Sequence, residues 1–479
     1  MAATTVSPHG IVRVPHWHLT PPGTASGIGS VADRGPVAVP DARQRFALGG
    51  LSRSLHFLRH QGDVLFADAV RAGERDDGVL RYALRGAPRP IAVLYRPDHI
   101  KQLMTADEAI TPSSTRLSPL APIVGPDSVL TAVGERHRQQ RALLLPRFHG
   151  KAVAAYQASI ERATEAGLRA WPTGTPVPLT GIAQQITLEV IMSAIFGIAD
   201  PSEVTPAEKS MGAAILRLMR LSSTPLGTMT QVINMRSSRP LGLLKLTLAL
   251  VDRTIYRVLA ERRAAGDHDS RDDIMALLLS AQTADGEPLS DSEIRDELMT
   301  LLLAGHETTS NTVAWMFERL TRNPAVYAQA REAARDGDDA YIEALVNETM
   351  RVRPVVPFVG RELLAPFDFG GHRVPAGHTA LVSILLLHHR DDLYAQPFDF
   401  RPERFLGVRP NPHELMPFGG GVRRCLGAPL AVAELQTVAR EILRRVQLRT
   451  HDRPGETPRY SNVTMIPARG GLVYAESID

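Results

Sequence analysis

The longest run of helix-like hydrophobic spacing extends without proline or cap from Ser290 to Asn323-Pro324. Ser290 followed by Glu293 predicts a capping box at its start, with Leu289 and Ile294 placed to form a hydrophobic staple. At 1.5 Å per residue such a helix would be about 50 Å long, enough to cross a whole core. The helical pattern holds over most of 135–321, with breaks expected at 172–176, Pro201, 237–240 and 284–288. Strand-like alternation is confined to short pieces: 78–84 and 90–95 about a turn at 85–89, then 367–374, then 471–474. Residues 110–131 are rich in Pro, Ser, Thr and Gly and lack any period, which predicts a long loop. Residues 1–41 are polar and Pro/Gly-punctuated, an N-terminal extension expected to be loop or partly disordered. The fold class is mainly α with small peripheral β-sheets, residues 42–479 forming one catalytic unit.

Composition narrows the class. Apolar residues are 44% and charged residues 22% of 479, with a formal net charge of +3. That balance supports a large core and makes no bulk electrostatic case for nucleic acid or an anionic membrane. No run approaches the 18 or so uninterrupted apolar residues of a membrane span, and the first 50 residues lack a signal-like apolar region. A single cysteine fits a reducing compartment. A cytoplasmic chain without a transmembrane anchor is expected.

That cysteine, Cys425, lies in Phe418-Gly-Gly-Gly-Val-Arg-Arg-Cys-Leu-Gly427. Most lone cysteines are small buried hydrophobes, but three glycines and two arginines are poor core material. They suit a backbone brought close to a flat ligand with a thiolate held against it. Gly421 and Gly427 are candidates for positive φ or close approach. The helix expected after Gly427, with Pro429 in its first turn, would point its amide end at Cys425 and favour the ionised sulfur.

Midway along the long helix, Ala304-Gly305 leaves a nearly bare groove beside the acid–alcohol pair Glu307-Thr308. Thr308 is placed to bond back to the Ala304 carbonyl. His306-Glu307 invites a zinc-protease reading, but the fifth position is Ser310 rather than His, so it fails; His306 is expected to be structural. His137 and Arg141 share a helix face suited to an anion. Glu348 and Arg351 are an i,i+3 ion pair.

The pattern Phe418-x-x-Gly421-x-Arg423-x-Cys425-x-Gly427 resembles, at every fixed position, the haem-ligand signature of the cytochrome P450 family. Residues 301–309 resemble the family's oxygen-binding motif, with Glu307 where many members have aspartate. Residues 398–405 resemble its Pro-Glu-Arg-Phe segment. The resemblance implies a P450-like fold with haem b between the long central helix and the Cys-ligand loop. It makes Cys425 the axial thiolate and metal ligand. It adds Phe418, Gly419, Gly427, Ala304 and Gly305 as haem contacts, and His137, Arg141, Arg361 and Arg423 as propionate ligands. Glu307 and Thr308 become the catalytic proton relay, and Glu348, Arg351 and Arg404 a structural triad supporting the haem loop.

The implied activity is a monooxygenase: O2 and two electrons, one oxygen atom going into an apolar lipid, terpenoid or steroid-like molecule. Rival readings are an H2O2-driven peroxygenase and a non-catalytic haem sensor. The implied pocket walls are Leu301, Leu302, Ala304, Val355, Val356, Phe358 and Met465, with loop 110–131 (where Arg116 could anchor a carboxylate); the apolar stretch 213–250 reads equally as a mobile lid or as core packing. The chain carries no flavin or nucleotide fingerprint and no ferredoxin cysteine set, so electrons are expected from a ferredoxin and an NAD(P)H-dependent reductase. Arg136, Arg138, Arg147 and Arg424 are expected to form a basic docking patch for that partner.

Overall fold

The computed structural model describes residues 78–478, apart from 83–88, 119, 199–200, 284–285, 452–453, 462 and most of 223–238. The expected extension over 1–41, the start of the catalytic unit at 42, part of the first strand and its turn, and part of the 213–250 stretch lie outside the described residues. The longer helices are α1 (Pro97–Thr105), α2 (Gly134–Leu144), α3 (Gln157–Arg169), α4 (Leu179–Phe196), α5 (Pro206–Ser222) and α6 (Gly242–Ala265). They continue with α7 (Ile274–Ser280), α8 (Asp291–Thr321), α9 (Pro324–Asp336), α10 (Asp339–Val352) and α11 (Ala428–Arg445). The strands are β1 (Val79–Tyr82), β2 (Ile91–Leu94), β3 (Pro176–Pro178), β4 (Phe358–Glu362), β5 (Phe367–Phe369) and β6 (His372–Val374). β7 (Thr379–Ser383), β8 (Val446–Arg449), β9 (Pro458–Ser461), β10 (Thr464–Pro467) and β11 (Leu472–Ile478) complete them.

Helix α8 organises the molecule. Its N-terminus is the predicted capping box: Ser290 Oγ accepts from Glu293 N at 3.3 Å while Ser290 N donates to Glu293 Oε2 at 2.9 Å. Two of the first turn's orphan amides are thereby satisfied. The helix runs 31 residues, from Asp291 to Thr321, and ends one turn ahead of Pro324. Almost every residue from Thr309 to Thr321 is buried, as a helix surrounded by others requires. Helix α4 is its main neighbour. Among the described residues α4 is the helix long and apolar enough to cross a membrane by length and composition. It packs within the core against α3, α7 and α8.

The contact between α4 and α8 explains Gly305. A Cβ built there would lie 2.9 Å from Ile191 Cδ1 and 3.0 Å from Ile191 Cγ1, so glycine sets the closeness of the two helices. Gly305→Val is expected to destabilise the fold by about 1–3 kcal/mol through overpacking. Urea unfolding would show a lowered midpoint; an unchanged midpoint would contradict this packing argument.

The sheets are small and peripheral. The largest has the order β1-β2-β7-β4, with β2 and β7 parallel and the other pairs antiparallel. It packs on α1 around its own apolar cluster, which includes Val79, Leu94, Ile100, Leu103 and Val382. The 367–374 segment is a hairpin, β5–β6, turning through Gly370 and Gly371 at φ +59° and +90°. The expected breaks at 172–176 and Pro201 are present, and the described residues of 237–240 and 284–288 also lie outside helices. A further break, between α6 and α7, follows Gly266, which caps α6 in the left-handed conformation at φ +63°.

Candidate functional site

A cavity of about 710 Å³ lies between the middle of α8 and the 418–427 loop, within the usual range for small-molecule and cofactor sites. Its floor is the cysteine loop. Cys425 N donates to the Phe418 carbonyl at 2.9 Å, and Arg424 N to the Gly421 carbonyl at 3.0 Å, closing the loop on itself. Gly419 and Gly421 adopt φ +67° and +65°, where a side chain would be strained. At Gly421 a Cβ would also sit 2.6 Å from the Met104 carbonyl oxygen at the end of α1. Gly427 behaves differently. Its φ is −85°, and a Cβ there would meet only the Phe148 ring, at 3.8 Å; it caps α11 and lines the cavity without needing positive φ.

Cys425 lies deep in the molecule, yet its side chain is exposed because it faces the cavity. Burial pushes its thiol above the ordinary range, against the opposing pull of the Gly427 and Ala428 amides and the Arg424 and Arg141 guanidinium groups. The helix amide end therefore acts as anticipated but is outweighed by desolvation. A bound cation would reverse that balance, because a coordinating thiol is deprotonated outright.

Opposite the loop, α8 presents Leu301, Ala304, Gly305, Glu307 and Thr308 to the cavity. Thr308 Oγ1 donates to the Ala304 carbonyl at 2.8 Å. Glu307 Oε1 accepts from Thr464 Oγ1 at 3.0 Å. Burial raises the Glu307 pKa, with the Thr464 bond opposing it, so this carboxyl keeps its proton to higher pH than a free glutamate. His306 turns away: its ring is fully buried against Thr187 of α4, 3.0 Å from Nδ1.

One side of the cavity is cationic. His137, Arg141, Arg361 and Arg423 all line it. His137 is held down to about 4 by burial and by the guanidinium groups of Arg423, Arg141, Arg361 and Arg138, so it is a neutral ring. Burial lowers Arg361 as well, and holds Arg423 at about 10. Arg423 already donates to the Ala132 carbonyl at 2.5 Å and lies 3.6 Å from Glu108.

The remaining expected residues divide. Val355, Val356 and Phe358 line the cavity with Phe418 and Gly419. Leu302 and Met465 do not, and both belong to the core instead. Leu302 is one residue, about 100°, around α8 from Leu301 and is fully buried among core side chains. Met465 alternates with the cavity-lining Thr464 along β10, so it packs with Leu385 and Leu386, while its backbone nitrogen bonds the Val355 carbonyl at 2.7 Å. Arg116, in the 110–131 loop, is exposed and does not line the cavity; its Nε donates to the Thr131 carbonyl at 3.2 Å. That loop is anchored to α8: Asp296 accepts from Asp127 N at 3.1 Å, and Glu297 from Val129 N at 3.0 Å.

The expected docking patch is largely neutralised. Arg136 bridges Asp127 at 3.0 Å and Glu293 at 2.9 Å, Arg138 pairs with Glu135 at 2.7 Å, and Arg147 pairs with Asp272. Arg424 is the member of the four left exposed without an ion pair to a described residue. Sequence reasoning also missed Glu434, nine residues past Cys425 on α11. It is buried, lines the cavity, and is pushed well above the carboxylate range by burial, against a hydrogen bond with Thr309.

The triad is assembled as expected. Arg351 Nε donates to Glu348 Oε2 at 2.7 Å and Arg351 Nη2 to Oε1 at 2.9 Å, while Arg404 Nε reaches Glu348 at 3.1 Å. Arg351 also donates to the carbonyls of His388, Pro397 and Asp399. His388 carries the connection onward: its Nδ1 lies 3.2 Å from the Arg351 carbonyl, and its Nε2 accepts from Met416 N at 2.9 Å. Those partners set the tautomer with the proton on Nδ1. The Met416 carbonyl then accepts from Gly419 N at 3.0 Å, at the entry to the cysteine loop.

These residues fit a flat metal cofactor bearing carboxylates. A lone thiol faces the cavity from a loop whose glycines keep the floor low. Arg361 and Arg423 share one nearby carboxylate, Glu108, and Arg141 forms no ion pair with a described residue. His137 Nδ1 is buried without a hydrogen-bond partner, a cost that an anionic acceptor would remove.

The sequence profile of the cytochrome P450 family matches residues 80–473. "Putative cytochrome P450 137" of Mycobacterium tuberculosis is 34% identical over 434 residues, covering 89% of this chain and 86% of its own. "Putative cytochrome P450 135B1" of Mycobacterium bovis is 37% identical over 383 residues, covering 79% and 80%. Among solved structures, a retinoic acid-bound cyanobacterial CYP120A1 superposes with TM-score 0.71 at 21% identity, over 89% of this chain and 96% of that one. The cytochrome P450DA heme domain does so with TM-score 0.69 at 23% identity, over 89% and 95%. The helix-rich fold with its small sheets is thus shared with P450 structures, and the sequence match places this chain in the cytochrome P450 family, as a haem b-dependent monooxygenase.

Proposed function

We propose that this enzyme inserts one oxygen atom of O2 into an apolar organic molecule of lipid, terpenoid or steroid-like character. Electrons would come from a separate ferredoxin and its NAD(P)H-dependent reductase, in the cytoplasm. The observation that carries the substrate class is the cavity wall above the cysteine loop. It is built from Leu301, Leu303, Val355, Val356, Phe358, Ile191 and Leu218, so a substrate there is selected by shape and apolar burial.

The bound haem would supply the reductive cleavage of O2 and the oxygen-atom transfer. The protein's part is holding, orienting and proton supply. Cys425 Sγ would hold the metal from the floor. Arg141, Arg361 and Arg423 would hold the propionates, with His137 donating from its unpartnered Nδ1. Glu307, whose burial favours the protonated carboxyl, would hold a proton next to the Thr308 hydroxyl at the groove. The Ala304 carbonyl keeps that hydroxyl aimed along the helix.

The test is consumption of NADPH and O2 with a surrogate ferredoxin system, read against hydroxylated or epoxidised product from a panel of fatty acids, terpenes and steroids. Glu307→Gln keeps the shape and removes the ionisable proton. It is expected to lower product formation by roughly 10²-fold while haem content stays at the wild-type level. Wild-type turnover by Glu307→Gln would defeat the proton-supply role. Product from H2O2 alone, with none from the ferredoxin system, would make the protein a peroxygenase; haem binding without turnover of any substrate would make it a sensor.

A further inference from the structure

A buried acid that gives up a proton leaves a charge behind, and the surroundings must accept that charge. At Glu307 very little does so. The carboxyl is acted on by burial and by one hydroxyl, that of Thr464. It forms no ion pair with a described residue. Glu434 on α11, bonded to Thr309, and Tyr460 on β9 both line the cavity, but neither shifts it. Its neighbour His306 is held down to about 4 by burial and is a neutral ring.

Thr464 is the first residue of β10 and pairs across the hairpin with Ser461 of β9. It is buried in the protein and lines the cavity. Its Oγ1 stands 3.0 Å from Glu307 Oε1 and 2.8 Å from the Ser461 carbonyl oxygen. A hydroxyl carries a single proton, so it donates to one of these acceptors at a time. The strand itself is fixed against α8: Trp315 Nε1 donates to the Met465 carbonyl at 3.1 Å. Met465 N in turn donates to the Val355 carbonyl at 2.7 Å. Rotation of the hydroxyl is therefore enough to change acceptor, with no movement of the backbone.

The choice between acceptors follows the charge. A bond to an ionised carboxylate is roughly twice as strong as one to a neutral acceptor. While Glu307 keeps its proton, the Ser461 carbonyl competes well for Thr464. Once the proton leaves for the groove at Thr308, the electron pair stays on the carboxylate and Thr464 is drawn to it. Arginine or lysine at this position would hold the carboxylate permanently ionised, and valine would serve neither state.

We propose that Thr464 is a positioning residue for the proton supply, its hydroxyl turning from the Ser461 carbonyl to Glu307 as that carboxyl releases its proton. The proposal rests on the reading of Glu307 as the proton donor.

The test reads the carboxyl directly, by infrared titration of the haem-loaded, full-length protein. The protonated Glu307 band is the one that Glu307→Gln removes. Its midpoint should move to higher pH in Thr464→Val, because the donor that favours the ionised form is gone. Thr464→Ala, which removes the hydroxyl without a branched replacement, should move it the same way, and Thr464→Ser should restore it. Thr464→Val should also lower product formation roughly tenfold at wild-type haem content, and should add nothing in a Glu307→Gln background. A midpoint unmoved in both Thr464→Val and Thr464→Ala would overturn the proposal. So would a loss of turnover as large in the Glu307→Gln background as alone, which would make Thr464 a substrate contact. Wild-type turnover by Glu307→Gln would defeat the proton-supply reading itself. The infrared midpoint separates that failure from this one, since it reads the Thr464–Glu307 contact without turnover.

Discussion

Arg351→Ala is expected to leave a chain that neither folds stably nor retains haem. The side chain is fully buried and makes bidentate contact with Glu348 plus hydrogen bonds to three carbonyls. Its loss would strand the Glu348 carboxylate, with only Arg404 and the Arg401 amide left to it. Breaking a buried pair on one side costs about 3–5 kcal/mol, out of a total stability of roughly 5–15 kcal/mol. The damage also has a direction. Arg351 holds the His388 carbonyl, His388 holds Met416, and Met416 holds Gly419, so the cysteine loop loses its outer support. Arg351→Lys should be intermediate, since an ammonium keeps the charge but not the fork of donors. A second substitution, Glu348→Gln, should partly rescue Arg351→Ala by removing the stranded charge. Urea unfolding and haem content of the four proteins check this; a wild-type midpoint for Arg351→Ala would refute it.

Much of the site was legible because its parts are local in sequence. The capping box at Ser290, the Thr308 bond to Ala304 and the Glu348–Arg351 pair each span three or four residues, a distance helix geometry fixes. The cysteine loop was legible because glycine and arginine at those spacings have few other uses. Residues whose roles depend on tertiary register were misplaced. Leu302 and Met465 are apolar neighbours of true wall residues, and whether such a residue faces cavity or core turns on a single step of helix or strand. Glu434 carries no local signal: a glutamate on an amphipathic helix reads as surface until α8 is packed over it. The ion pairs within the expected docking patch were invisible because Glu293 and Asp272 approach Arg136 and Arg147 from distant segments. The parallel pairing of β2 with β7, Ile91 opposite Thr379, was likewise invisible in two short strands.

Cys425→Ser should have the largest functional effect. An alcohol keeps the size and the loop geometry, including the Cys425 N to Phe418 carbonyl bond, but it does not ionise as a thiol does when a metal binds. The strong electron donation of a thiolate ligand is then lost, and with it the push that favours O–O cleavage. Substrate oxidation is expected to fall below detection, while urea unfolding of the haem-free protein stays close to wild type, since the one atom that changes faces the cavity. The central claim is that Cys425 is the thiolate under the haem iron, and the absorption spectrum of the reduced protein with carbon monoxide tests it most directly. Wild type is predicted to show the red-shifted Soret band of a thiolate-ligated haem, and Cys425→Ser, loaded with haem to the same level, to lack it. The same red-shifted band in Cys425→Ser would contradict the account.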